Sequence, residues 1–261
     1  MNSKKGALFH WIIFGVLAAM GTFALIMYNS ETAVTVKGTW QLDFLDHYYL
    51  EGEKSLASFD LVALQVGRKA ILSLAKKGGF ADTPSCGSYG EVIYWNKGKN
   101  FCFLNVDKEL TAEFNSLYAG YDPDWTYSLS RQGEEVLGKT EKDLIIGQGK
   151  KYDLLFPKRS QQYMLKPHFK IDLDYSFDEY FLLQDQAKKL IDECKSADNL
   201  QDCLEKIKPS HWKFSSCEDE KFVEQERRVV FCAESPSQYV VHENGKPIPV
   251  QYKLGLDFSR V

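Results

Sequence analysis

Eighteen consecutive residues, Trp11 to Tyr28, carry no charged side chain, and no other stretch limits so strongly what this chain can fold into. At about 1.5 Å rise per residue the run reaches about 27 Å as a helix, close to the roughly 30 Å hydrocarbon core of a bilayer. Trp11 and Tyr28 stand at its ends, where aromatic rings favour the membrane–water boundary. Lys4 and Lys5 precede it, so the positive-inside tendency holds the N-terminus in the cytoplasm and sends the rest outward. The expectation is a single-pass protein of the cell membrane whose bulk is extracytoplasmic. The rival reading is a removed secretory signal peptide. Such peptides have a shorter apolar core, about 7–15 residues, and end at an Ala-x-Ala-like site. Ser30-Glu31-Thr32-Ala33 matches that site poorly, which favours a retained anchor.

Within the run, Gly15, Ala19 and Thr22 fall at i, i+4 and i+7, a small-residue stripe suited to close helix approach in lipid. The expected partners are therefore the bilayer and, through this face, a second copy or other membrane helices. The residues just before the run carry a further signal. Lys4-Lys5-Gly6-Ala7-Leu8 leads directly into the apolar stretch. This resembles the class III signal peptide of archaeal type IV pilin-like proteins, over about the first tenth of the chain. The resemblance implies cleavage by a prepilin peptidase between Gly6 and Ala7, leaving the helix as anchor and assembly element. Trp11 stands where bacterial pilins carry a glutamate. Thr32–Gly38 is β-branched and ends in glycine, a poor continuation of a helix. The chain is thus divided into an anchor region (1–30), a linker (31–39) and an extracytoplasmic region (40–261).

That region is large enough for one sizeable domain or two small ones. A net charge of −4, with no basic stripe, excludes a nucleic-acid partner. All six cysteines, Cys86, Cys102, Cys194, Cys203, Cys217 and Cys232, follow the anchor. An even number in an outward-facing domain points to disulfides. Six cysteines allow 15 connectivities, of which sequential pairing is the simplest.

Along the chain, Leu45, Tyr49, Leu56, Phe59, Ala63, Val66, Ala70 and Leu74 keep one face and predict a long amphipathic helix over Trp40–Lys77, whole or broken near Gly52 or Ser58. Gly78-Gly79 is its stop signal. A hairpin is expected around Asn96–Lys99, then a helix capped by Asp107, then a hairpin around Gln132-Gly133 and strands at Asp143–Ile146 and Tyr152–Phe156. Lys166–Tyr175 alternates as a half-buried strand. Ser176–Glu179 reads as a capping box opening a helix that buries Tyr180, Leu183, Ala187, Leu190 and Cys194. A short helix from Asn199 carries Cys203, so a Cys194–Cys203 bridge would staple two consecutive helices. Strands at Trp212–Ser216 and Arg228–Ala233 flank the acidic loop Glu218–Glu220. A last hairpin, Tyr239–Glu243 and Val250–Phe258, turns at Asn244-Gly245. This order predicts an α+β fold with antiparallel hairpins and interspersed helices, with a candidate sub-boundary at 157–167.

No local catalytic signature emerges. Ser73-Leu74-Ala75-Lys76 fits the Ser-x-x-Lys nucleophile pattern but lacks its companion motifs, and reads as a helix face. His10, His47, His168, His211 and His242 show no ligand spacing. Asp172 with Asp174, and Asp122 with Asp124, read as solvated carboxylates without the ligand count of a calcium loop. No catalytic residue, metal or cofactor is assigned. The expected function is binding or surface assembly, as a pilin-like subunit in its sharpest form. The alternative is a membrane-tethered surface hydrolase whose active site is assembled from distant positions.

Overall fold

The computed structural model describes residues 13–28, 44–102, 104–147, 163–207, 213–215, 227–241 and 246–259. In chain order the helices are α1 (13–28), a π-helical turn at Phe44–Tyr49, α2 (Leu50–Lys76), α3 (Val106–Tyr118), α4 (Glu179–Cys194) and α5 (Leu200–Lys206). The strands are β1 (Ser88–Tyr89), β2 (Val92–Ile93), β3 (Asn96–Lys97), β4 (Asn100–Phe101), β5 (Ser128–Gln132), β6 (Glu135–Lys139), β7 (Leu144–Ile146), β8 (Tyr163–Leu165), β9 (His168–Asp172), β10 (Lys213–Ser215), β11 (Arg228–Val241) and β12 (Pro247–Asp257). All strand pairs of the two three-stranded sheets, β5–β6–β9 and β10–β11–β12, are antiparallel, so the fold is α+β.

The chain divides into two compact units. Met1–Lys54 and Ile145–Met164 make the first; Ser55–Leu144 and Leu165–Val261 make the second. The first contains α1, the π-helical turn and the start of α2, and in it β7 pairs with β8. The rings of Tyr49 and Tyr163 lie 5.9 Å apart, which brings that turn beside the two-stranded sheet.

The second unit has one hydrophobic core. From Ala63 onward α2 buries Ala63, Val66, Ala70 and Leu74 of the expected stripe, with Ile71 beside them; Leu56 and Phe59 are half-buried, and Leu45 and Tyr49 are exposed instead. The π-helical turn replaces a continuous α-helix there and shifts the phase of the pattern. Gly67 lets α2 lie against β9: a Cβ on it would sit 2.8 Å from Leu173 Cδ2. The helix ends in a Schellman motif, with Gly79 N bonded to Leu74 O and Gly78 N to Ala75 O. Gly78 supplies the left-handed residue, φ 74°, and its carbonyl accepts from Trp95 Nε1 at 2.7 Å.

Two hairpins turn on glycines with positive φ, Gly98 at 59° and Gly133 at 67°, the expected loops. Gly138 lies directly opposite Phe169 across β6–β9, and the ring fills the space a Cβ would take. Phe169 then packs with Phe114, Tyr118 and Tyr127 in an aromatic layer. Two buried or half-buried asparagines act as surrogate strands. Asn96 brackets Asp257, donating to its carbonyl (2.6 Å) and accepting from its N–H (2.9 Å). Asn115 does the same to Tyr127 at 2.8 Å each way, docking α3 on the entry to β5.

Four local expectations change. The α3 cap is Asn105, whose side chain accepts from Lys108 N; Asp107 is in the first turn and engages Arg131. The helix expected to open with a capping box at Ser176 instead begins at Glu179. Its cap is Asp178, without a side-chain capping bond, and Glu179 is buried with Oε2 accepting from Ser235 Oγ, so a tertiary partner has taken the carboxylate. Asp174 is not in the strand, which ends at Asp172, and takes φ 50°. The segments Arg228–Ala233 and Tyr239–Val241 belong to one strand, β11, whose register against β12 slips between Glu234 and Tyr239. Pro236 cannot donate to a ladder, and the strand absorbs it in that irregularity instead of ending.

Candidate functional site

Of the sequence-predicted positions, Gly6 and Ala7 lie outside the described residues. Gly15, Ala19 and Thr22 lie on α1, every residue of which is exposed from 13 to 28. Nothing approaches within 4 Å of where a Cβ on Gly15 would stand. Thr22 Oγ1 donates to Ala18 O and Ala19 O at 3.1 and 2.9 Å, so its hydroxyl is turned onto its own helix. Among the described residues no helix is long and apolar enough to cross a membrane. The described part of α1 spans about 24 Å at 1.5 Å per residue, short of the roughly 30 Å of a hydrocarbon core; Trp11 and Ile12, which would lengthen it, lie outside the described residues.

The cysteines are placed by the second unit. Cys86–Cys102 joins the entry loop to the β3–β4 hairpin, and Cys194–Cys203 joins α4 to α5, as the sequential pairing expects. Cys232 is disulfide-bonded, and Cys217 lies outside the described residues. Arg227, at φ 64°, secures the same end of α4. Its guanidinium donates to the carbonyls of Cys194, Lys195 and Ala197 and, through Nε, to that of Phe258. A cation thereby answers the negative end of the α4 dipole.

Ser73 does acquire charged neighbours, but not the one its motif names. Its Oγ donates to Glu113 Oε1 at 2.5 Å, and Lys77 Nζ binds both carboxylate oxygens at 3.1 and 2.9 Å. Lys76 is exposed. In this arrangement the ammonium is engaged with a carboxylate and has no lone pair to take a proton from Ser73, so a Ser–Lys nucleophile is not assembled. The cluster serves instead to let Glu113, at 4% exposure, be buried at the α2–α3 contact.

The two aspartate pairs are spent locally. Asp122 Oδ1 accepts from Asp124 N and Asp172 Oδ1 from Asp174 N, at 3.1 and 3.0 Å, each closing a turn. Among the described residues no three or more His, Cys, Asp or Glu side chains gather as a metal site.

An open polar cleft of about 290 Å³ lies where the ends of β5 and β6 meet, lined by 124, 126–128 and 139–142. Lys142 spans it, donating to Asp124 O at 3.1 Å with its ammonium 5.4 Å from the centre of the Trp125 ring. Tyr127 lines the cleft but turns its phenol inward to Tyr118, 3.5 Å away, and burial raises both phenols above the usual tyrosine range. The pairing Ser128↔Lys139 brings these stretches together; extending the expected hairpin past its ends would have found them.

A second polar group is wholly internal. Tyr175 and Tyr252 share a 2.7 Å hydrogen bond, and the ring of Tyr180 meets that of Tyr252 edge-on. Burial, then the Tyr252 phenol and Glu179, hold Tyr175 far above its ordinary pKa; burial also raises Tyr180 and Tyr252. Tyr175 and Tyr252 pair through their hydroxyls and Tyr180 packs against them with its hydroxyl buried, so none is an acid or nucleophile near neutral pH.

Compared with protein-family models, curated protein sequences and solved structures, the chain matches none.

Proposed function

We propose that this chain is a membrane-anchored, extracytoplasmic protein acting by binding or surface assembly, with α1 as its anchor and the second unit as its outward, disulfide-bonded domain. In its sharpest form it is a pilin-like subunit, cut between Gly6 and Ala7, whose Gly15–Ala19–Thr22 face packs against a neighbouring helix. The observation that carries the reading is α1 itself. It exposes ten large apolar side chains, from Ile13 to Tyr28, far more than a helix in water leaves uncovered. Its one aliphatic hydroxyl, on Thr22, is satisfied by its own backbone, the arrangement lipid demands. The bridges Cys86–Cys102 and Cys194–Cys203 support an oxidising, outward location for the second unit.

Mass spectrometry of the native N-terminus tests the sharpest form. A mature chain beginning at Ala7 is expected, and a Lys5→Ala/Gly6→Leu variant should retain its leader. An intact Met1–Gly6 in the native protein sinks the pilin-like version and leaves a plain anchor. Full release from membranes by alkaline carbonate would remove the anchor as well.

A further inference from the structure

The sheet β5–β6–β9 treats its two edges differently. Thr140 N bonds to Pro167 O and Leu173 N to Glu134 O, so Pro167, Phe169, Ile171 and Leu173 turn their backbone groups onto β6 and the loop before it. By the strand period His168, Lys170 and Asp172 turn theirs outward, and among the described residues no backbone group pairs with them. At the opposite edge Asn115 brackets Tyr127 on the entry to β5, and Arg131 of β5 engages Asp107 of α3. The described residues give β9 no such cover, and it runs in unbroken register against β6 from His168 to Asp172. A regular strand with a free row of N–H and C=O groups is a template for one more strand.

We infer that β9 pairs antiparallel with β9 of a second copy, about a two-fold axis at Lys170, joining two three-stranded sheets into one. This supplies the assembly half of the proposed function with a partner, and it does not depend on the anchor. Charge selects the occupant. In this register His168 stands opposite the second copy's Asp172, and Asp172 opposite its His168, so a basic side chain faces an acidic one at each end. All three outward side chains are exposed, whereas Phe169 and Ile171 are buried in the core of their own copy. Lys170 meets its own copy, the like-charge contact that ordinarily guards an edge. Here its ammonium lies 2.7 Å from Glu135 Oε1 on β6, so each lysine brings its own carboxylate and is drawn onto the neighbouring strand. Neither adjacent register does as well. An axis at Phe169 sets His168 against Lys170 and fails on charge. An axis at Ile171 opposes His168 to Asp174, which has left the strand at φ 50°, and loses those ladder bonds.

Sedimentation of the full chain in density-matched detergent micelles, over a range of protein concentration, tests the pairing. The parent should form dimers. His168→Asp and Asp172→Lys each put like charges at both ends of the ladder and should weaken the dimer about tenfold. The double variant His168→Asp/Asp172→Lys restores opposite charges in swapped order and should bring the dimer back to near parental strength. A second measurement needs no variant. In the parent, the amides of His168, Lys170 and Asp172 should exchange about tenfold more slowly as the dimer forms, while those of Phe169 and Ile171 stay protected throughout. A parent that is monomeric at every concentration overturns the pairing together with self-assembly. A dimer indifferent to all three variants overturns the pairing alone, because another surface then holds the copies. Loss in both single variants without recovery in the double, or exchange at His168, Lys170 and Asp172 that ignores dimerisation, overturns this register.

Discussion

Replacing Lys77 with Met should destabilise this protein more than replacing Glu113 with Gln, although the two residues form one ion pair. The Lys77 side chain is 37% exposed, whereas that of Glu113 is 6% exposed. Lys77→Met keeps the aliphatic stem and leaves a buried carboxylate with the Ser73 hydroxyl as its remaining side-chain partner. Stranding a buried charge costs about 3–5 kcal/mol, and Ser73 holds the figure to the lower end, about 3 kcal/mol. Glu113→Gln keeps the shape and an acceptor for Ser73, and frees Lys77 to turn its ammonium into water. That change costs about 1 kcal/mol, the worth of an ordinary hydrogen bond. The double variant should cost little more than Glu113→Gln alone, a coupling of about 3 kcal/mol. Urea unfolding of the full chain in detergent micelles, followed by far-ultraviolet circular dichroism, reads the differences as midpoint shifts of about 1 M and about 0.3 M for an m-value near 3 kcal/mol/M. Equal midpoints, or a larger loss for Glu113→Gln, would refute the claim that exposure decides which partner is stranded.

Gly138→Ala places a Cβ 2.1 Å from Phe169 Cζ and should cost about 2–3 kcal/mol; adding Phe169→Leu should recover part of it in the same unfolding assay. Arg227→Ala loses the carbonyl clamp at the end of α4 and keeps an unfavourable positive φ, whereas Arg227→Gly loses only the clamp. The glycine variant should therefore be more stable than the alanine one by about 1 kcal/mol, and the reverse order would place the strain elsewhere. The raised phenols of Tyr175, Tyr180 and Tyr252 fix the sign of the alkaline response. Below pH about 10 both folded and unfolded chains keep these protons; above it the unfolded chain releases them and the folded one does not. Stability should be flat up to about pH 10 and then fall by about 1.4 kcal/mol per pH unit for each masked phenol. Absorbance at 295 nm should show these tyrosines ionising together with unfolding, and early, independent ionisation would count against the buried cluster.

What was legible in the sequence was local. The α2 stripe from Ala63 to Leu74, the Gly78-Gly79 stop, the turns at Gly98 and Gly133 and the alternation of β9 each follow from a periodicity or a backbone requirement that a few neighbouring residues express. The failures share one cause, a distant partner outbidding a local preference. Glu179 belongs by its spacing to a capping box, but Ser235 draws its carboxylate into the core. Ser73 suggests Lys76 by its motif, but the helix sets Lys77 facing Glu113 on α3. Arg228–Ala233 and Tyr239–Glu243 are expected as separate strands, yet β12 pairs with both halves of one strand across the irregularity between Glu234 and Tyr239. Asn96 and Asn115 gave no signal at all, because a side chain standing in for a strand is defined only by the backbone it brackets, 161 residues away for Asn96.

The two units differ in how their stability is supplied, and that difference bears on function. All six cysteines belong to the second unit, together with a core of packed aromatics that leaves Trp95, Tyr175 and Phe258 without solvent contact. Such a unit buries its own apolar surface and needs no partner to do so. In the first unit, Ile146 is the one apolar side chain among the described residues that is buried, while α1 and the surface around Tyr49 and Met164 stay uncovered. Apolar area left in water at this density costs free energy that nothing among the unit's described residues offsets. The absence of charge in α1 suits it to the hydrocarbon layer of a membrane, the anchor proposed above. On the proposed anchor, lipid is what would cover the apolar side chains of α1 that the described residues of the first unit leave exposed.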